Sequence, residues 1–132
     1  MAASESYPDD LKYHHEHDWA RIVEGDEATL GVTWYAQDAL GELVHYEPPA
    51  EGGSTVKDAS YGEVESVKAV SDLIAPLSGE ILEVNQAVVD APETVNEDPY
   101  GEGWLVRIRL SDPSEVDALL DVEAYKQQLE NE

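Results

Sequence analysis

Of the four lysines in this 132-residue chain (Lys12, Lys57, Lys68 and Lys126), one stands in a setting suited to covalent chemistry. The segment Gly62-Glu-Val-Glu-Ser-Val-Lys-Ala-Val-Ser-Asp-Leu73 has strand character on both sides of Lys68-Ala69, with Val64 and Val67 before the pair and Val70 and Leu73 after it. The pattern predicts a hairpin over about 62–73 whose tight turn holds Lys68 in solvent. Two-residue hairpin turns favour glycine or asparagine, and neither is present, so alanine and lysine at the tip are expected to cost local strain. That points to a requirement for lysine itself. Its amine, on a flexible four-carbon stem, can form an amide with a carboxylic cofactor and so become the root of a travelling arm. Lipoamide is one group carrier that works this way. An isolated lysine is ordinarily a solvated charge; this one is set apart by the scarcity of lysines and by its place in the chain.

Other reactive side chains offer less. His14-His15-Glu16-His17-Asp18 invites a zinc reading, but along a strand His15 and His17 would share a face while Asp18 points away. His45 is the only further histidine and there is no cysteine, so no metal site is expected, and thiolate catalysis and disulfides are excluded. No nucleophile–base signature accompanies the histidines. Trp19, Trp34 and Trp104 are read as core anchors rather than a stacking platform.

The elements that must position Lys68 are mostly strands. Trp19–Val23 and Ala28–Val32 flank the turn-forming Glu24-Gly-Asp-Glu27 and read as a hairpin. Thr33 as a cap, Trp34–Leu40 and then Gly41 fit a short helix near 34–40. From Glu42 to Leu110 the pattern is strand-like and broken by prolines and glycines, ending in the alternation of Val106, Ile108 and Leu110 against Arg107 and Arg109. Beyond Asp112-Pro113, the spacing of Val116, Leu119, Leu120, Tyr125 and Leu129 predicts one or two amphipathic helices over about 113–130. Residues 1–10 are small and polar and are expected to form a flexible end, leaving 11–132 as one domain.

Two echoes suggest an internal repeat. Gly41-Glu-Leu-Val44 returns as Gly79-Glu-Ile-Leu82, and Tyr61-Gly-Glu63 returns as Tyr100-Gly-Glu102, at nearly the same offset. Two strand sets related by a pseudo-two-fold axis would produce this in a sandwich or flattened barrel. The junction between them falls near Val67 to Asp72.

Charge is the extreme feature: 30 acidic residues against 7 basic ones give a net −23. Such a field repels phosphate backbones, so nucleic acid is not an expected partner. Consecutive thirds of the chain hold 10, 8 and 12 acidic residues, so the negative surface is expected to wrap the whole fold. With only four lysines overall, this suggests a salt-adapted cytoplasm, that of a halophile. No run is apolar enough to span a membrane and Met1 to Asp10 lacks signal-peptide character, so a cytoplasmic protein is expected.

Glu65-Ser-Val-Lys-Ala-Val-Ser-Asp72 resembles the lipoyl-lysine motif of glycine cleavage H proteins. Further blocks resemble the same family in the same order: His17–Ala20, Gly31–Gly41, Ala75–Glu80, Val84-Asn85 and Asn96–Trp104. The resemblance implies a mainly β, lipoyl-domain-like β sandwich (a barrel-sandwich hybrid) with an added N-terminal hairpin and C-terminal helices. It implies lipoate amide-linked to Lys68, and a monomeric, non-catalytic carrier. A pyridoxal-phosphate glycine decarboxylase would load the aminomethyl group. A tetrahydrofolate-dependent aminomethyltransferase would take its carbon, and the FAD enzyme dihydrolipoyl dehydrogenase would reoxidise the arm. A lipoate-attaching enzyme would read the hairpin shape, to which Glu65 and Gly79 contribute. Asp18, Tyr35 and Asp72 match positions that line a cleft for the loaded arm. Asp18 replaces a more usual glutamate, and Tyr35 stands where some members carry histidine. An H-like protein acting in lipoate relay, or serving another lipoyl-dependent complex, is the alternative. A biotinyl carrier is disfavoured, since Val67 and Ala69 flank Lys68 where biotin carriers typically place methionine.

Overall fold

The computed structural model describes residues 3–23 and 25–132, so Glu24 of the expected turn lies outside the described residues. Among the described residues nine strands form two antiparallel sheets. The larger holds β1 (Lys12–Tyr13), β2 (Asp18–Val23), β3 (Glu27–Val32), β5 (Ser54–Thr55), β8 (Gly79–Val84) and β9 (Val106–Leu110), in the order β1-β2-β3-β9-β8-β5. The smaller holds β4 (Leu43–Glu47), β6 (Ser60–Ser66) and β7 (Val70–Ile74), in the order β4-β6-β7. Alternating strands turn Leu30, Val64, Leu73, Ile81, Val106 and Ile108 into one core between the sheets.

The short helix forms as expected. In α1 (Trp34–Leu40) the Thr33 hydroxyl accepts from the Ala36 amide, and Gly41 ends the helix at φ 88°, a left-handed conformation that favours glycine. The C-terminal segment divides into a 3₁₀ turn over Pro113–Ala118 and a regular helix over Val122–Glu130, capped by Asp112 and Asp121. That helix closes a second core cluster of Leu11, Tyr13, Trp19, Val122 and Tyr125, in which the Tyr13 and Tyr125 rings stack 4.7 Å apart. Trp19 is fully buried, whereas Trp34 and Trp104 are half-buried at the edges.

Two expectations need correction. The stretch between β8 and β9, part of the span read as strand-like and broken by prolines and glycines, contains two further helices, α2 (Gln86–Asp90) and α3 (Thr94–Glu97). The repeat holds for Gly41-Glu and Gly79-Glu, which introduce strands in opposite sheets, but Tyr61 lies within β6 while Tyr100 lies in a turn. Residues 3–8 make hydrogen bonds to several parts of the domain. The Ala3 amide donates to the Asn96 carbonyl at 3.0 Å, and the Trp34 indole donates to the Ala3 carbonyl at 2.8 Å. The Tyr100 hydroxyl donates to the Ser6 carbonyl at 2.7 Å.

Candidate functional site: the lysine hairpin

Strands β6 and β7 pair from Ser60↔Ile74 to Glu65↔Val70, leaving Ser66 to Ala69 as the connection. The Ser66 amide donates to the Ala69 carbonyl at 2.7 Å, which makes Val67 and Lys68 the central residues of the turn rather than Lys68 and Ala69. The expected strain is absent. Among the described residues, only His17 and Asp58 are non-glycine residues with positive φ. The turn is held by Ser66 instead. Its buried hydroxyl accepts from the Lys68 amide at 3.2 Å and the Ala69 amide at 3.1 Å, replacing the glycine geometry with a side-chain anchor.

The tip is also braced from the side. The Val67 amide donates to the Glu42 carbonyl at 3.2 Å, and Lys68 Cε lies 3.5 Å from where a Cβ on Gly41 would stand. Asn96 fixes that support from α3. Its amide nitrogen donates to the Gly41 carbonyl and to Gln37 Oε1, both at 2.9 Å, and its Oδ1 accepts from the Leu43 amide at 2.9 Å. Lys68 is exposed and has no ion-pair partner among the described residues. An open groove lined by Gln37, Asp38, Gly41, Glu42, Glu93, Asn96 and Glu97 runs beside it. Ser66 and Asn96 escaped sequence reasoning; the polar residue two before the lysine was the one available signal for the first.

The other sequence-derived positions divide. Glu65 is exposed, directly opposite Val70 on β7. Gly79 stands in the other sheet, between Leu110 and Thr55, where a Cβ would overlap the Arg109 carbonyl oxygen. Packing alone therefore requires glycine there. Asp18 opens β2 and is buried, with its carboxyl acted on by the Ile74 amide of β7, an edge strand of the smaller sheet. Among the described residues its Oδ2 has no hydrogen-bond partner, nor has the buried Tyr61 hydroxyl. Burial pushes the Asp18 carboxyl well above the usual carboxylate range, the Glu16 charge adds to this, and the Ile74 amide opposes it. Tyr35 packs on His17, the residue before Asp18, with ring centroids 4.5 Å apart. Asp72 is exposed on β7, two residues from Ile74. The structure thus gathers Asp18 and Tyr35 around His17, with Asp72 further along the adjoining strand. None of the three lines the groove beside Gly41.

The histidine run is a turn, not a strand. The His14 Nδ1 accepts from the Glu16 amide at 3.0 Å, so its Nε2 carries the proton donated to Asp58 Oδ1 at 2.6 Å. Burial holds the His14 ring below the usual histidine range despite that carboxylate, consistent with a neutral ring.

A two-sheet body that lifts one exposed lysine on a pinned turn has the form of a carrier domain, a scaffold that holds a covalently attached group. A family model described as Glycine cleavage H-protein matches residues 11–132. The chain is 52% identical over 124 residues to the glycine cleavage system H protein of Cyanothece sp., spanning 94% of this chain and 95% of that one. It is 53% identical over 125 residues to that of Rubrobacter xylanophilus, spanning 95% and 96%. The crystal structure of a glycine cleavage system H protein from Mycobacterium marinum superposes with a TM-score of 0.86 at 42% identity, over 93% of this chain and 98% of that one. The chain belongs to the glycine cleavage H-protein family. It is a non-catalytic lipoyl carrier that shuttles intermediates between components of the glycine cleavage system. Among the described residues, no helix is long and apolar enough to cross a membrane.

Proposed function

We propose that Lys68 carries lipoate through an amide at Nζ. In this reading the chain takes the aminomethyl group from a pyridoxal-phosphate glycine decarboxylase to a tetrahydrofolate-dependent aminomethyltransferase, then offers its reduced arm to FAD-containing dihydrolipoyl dehydrogenase. The observation that carries the reading is an exposed amine, without an ion pair among the described residues, at the tip of a turn pinned by Ser66 and braced by Glu42, in a chain of this family. A primary amine free of ion pairs fits a carboxylic group joined by an amide. When bound, lipoate supplies a disulfide that accepts the carried carbon and is regenerated from the dithiol. The chain supplies a fixed base, so that the free end of the arm does the travelling.

Asp18, Tyr35 and Asp72 form the cleft that shelters the carried group. Support comes from Asp18 Oδ2, a buried oxygen without a hydrogen-bond partner among the described residues. An ammonium brought there would supply the missing hydrogen bonds and favour the ionised carboxylate. Glu65 contributes to recognition by the lipoate-attaching enzyme, with Gly79 supporting the sheet behind. The carrier works as a monomer in the cytoplasm.

Apo-protein incubated with lipoate ligase, lipoate and ATP is expected to gain one adduct, and Lys68→Arg none, by intact mass. An adduct on the arginine variant at Lys12, Lys57 or Lys126 would overturn the assignment. For the cleft, loaded Asp18→Asn and Asp72→Asn are expected to release ammonia faster than wild type at pH 7. Release at the wild-type rate from both would remove these residues from the cleft.

A further inference from the structure

Two described residues other than glycine hold a positive φ, and one of them, His17, stands directly before Asp18 with φ 75°. Side chains with a Cβ rarely adopt that left-handed conformation, so the contacts around His17 must sustain it. They come from three places. Within its own turn, the His17 amide donates to the His14 carbonyl at 2.9 Å. From the start of α1, the Thr33 amide donates to the His17 carbonyl at 3.0 Å, and the Tyr35 ring centroid lies 4.5 Å from that of the imidazole. From the C-terminal helix, the Tyr125 hydroxyl stands 2.8 Å from His17 Nδ1, and Glu132 Oε1, just past the helix, 3.2 Å from Nε2. Glu132 is itself held. Its Oε2 accepts from the Gln128 side-chain amide at 2.8 Å, and the same nitrogen donates to the His15 carbonyl at 2.8 Å.

One placement of protons satisfies all these contacts. When Nε2 carries the ring proton it donates to Glu132, and Nδ1 accepts from the Tyr125 hydroxyl. Tyr125 then accepts from the Thr33 hydroxyl, 2.8 Å away, which also accepts from the Ala36 amide. Burial keeps the Tyr125 phenol protonated, as that donation requires. The Gln128 side chain, followed by His17 and Tyr35, holds the Glu132 carboxyl below the usual carboxylate range, as its accepting role requires. A carboxylate, an imidazole and two hydroxyls thus form one chain that fixes the tautomer and the plane of the His17 ring.

We propose that His17 is a positioning residue for the carried group: locked by Glu132 and Tyr125, its ring holds Tyr35 over the cleft beside Asp18. This rests on Asp18 and Tyr35 forming that cleft. The aminomethyl group is lost when water reaches its carbon. Water adds, the C–S and C–N bonds break, and the thiol, formaldehyde and ammonia result. Protection therefore depends on a side chain placed closely enough to keep water out, and a misplacement of about 1 Å is enough to weaken it. His17 acts through Tyr35 and does not meet the group itself. The C-terminal helix, distant from Lys68 in the chain, thereby takes part in sheltering what Lys68 carries.

The test uses the full-length lipoylated chain, loaded from glycine by glycine decarboxylase, with ammonia release followed at about pH 8, above the usual histidine range. Tyr35→Ala gives the rate of an opened cleft. His17→Asn keeps a residue that tolerates positive φ but removes the ring, and is expected to release ammonia about fivefold faster than wild type. Glu132→Ala should do the same, and Glu132→Gln, whose amide oxygen still accepts from Nε2, should restore release to within about twofold of wild type. Nitrogen NMR should place the ring proton of His17 on Nε2 in wild type and Glu132→Gln, and show mixed tautomers in Glu132→Ala. Glu132 is exposed, so its variants should melt with wild type, which separates lost positioning from lost fold. Fast release from Tyr35→Ala with wild-type rates from His17→Asn and Glu132→Ala would overturn the proposal, as would a ring proton on Nδ1 in wild type. Wild-type release from both Tyr35→Ala and Asp18→Asn would instead overturn the cleft, so the two failures are told apart.

Discussion

The outer faces of the two sheets arrange charge in opposite ways. On the larger sheet, Arg107 lies between Glu27 at 2.9 Å and Glu83 at 3.0 Å, and Arg109 pairs with Glu80 at 3.5 Å. Two of the chain's three arginines are used there, so neighbouring strands carry opposite signs. On the small sheet, Glu47, Glu63 and Asp72 stand side by side, and His45 reaches only Glu47, at 3.2 Å. Opposite charges across strands stabilise a sheet and like charges weaken it, each by a fraction of a kcal/mol. The first face serves the fold. The second gives up a little stability and gains a negative field around Lys68.

The largest expected effect concerns charge on the whole molecule. With a net −23, raising KCl from about 0.1 M to about 3 M should raise the melting temperature of apo-protein. A steep rise that continues beyond roughly 1 M, where screening is nearly exhausted, is the result expected of a salt-adapted chain. A plateau by a few hundred millimolar would leave only generic repulsion and remove the halophile reading.

Next in size is Gly79→Ala, whose new Cβ meets the Arg109 backbone where β8 opens beside the end of β9. A loss of about 3 kcal/mol by urea unfolding is expected, from overpacking against backbone that cannot move aside. Stability unchanged within error would show that the strands separate freely there.

Asp18→Asn probes the joint between the sheets. The folded state holds the Asp18 proton to higher pH than the unfolded chain does, whose carboxyl titrates near about 3.9. Above that pH the folded state binds more protons than the unfolded one, so this residue's contribution to stability falls as pH rises toward the raised folded value. The asparagine variant lacks the fall and should gain on wild type between about pH 4 and neutrality. Parallel melting curves across that range would contradict the buried carboxyl.

The smallest effects bear directly on the two faces. Arg107→Gln should cost about 1 kcal/mol, and Glu63→Gln should cost nothing or stabilise by about 0.3 kcal/mol. Both differences should shrink at about 1 M KCl. Equal losses from the two variants would erase the contrast.

Sequence reading went furthest where a local signal decided the structure. Thr33 and Gly41 bound α1, and the alternation of Val106, Ile108 and Leu110 places β9 with its inner face buried. It located the lysine hairpin but misread what holds the turn, because Ser66 acts through hydrogen bonds that no periodicity reports. Helices α2 and α3 span five and four residues, too short for a helical period to emerge, although Asn85 caps the first by accepting from the Ala87 amide. The burial of Asp18 follows from its long-range contact with the β7 edge, and the anchoring of residues 3–8 from their contacts with α1, α3 and Tyr100. Neither is written in the local sequence.

The central claim is that this fold exists to present Lys68 as the root of a lipoyl arm. Intact-mass measurement of the chain purified from its native host, followed by peptide mapping, tests it most directly. The account predicts a single lipoyl modification, on the peptide containing Lys68. A modification mapped to Lys12, Lys57 or Lys126, or a chain left wholly unmodified in cells whose other lipoyl proteins are loaded, would contradict it.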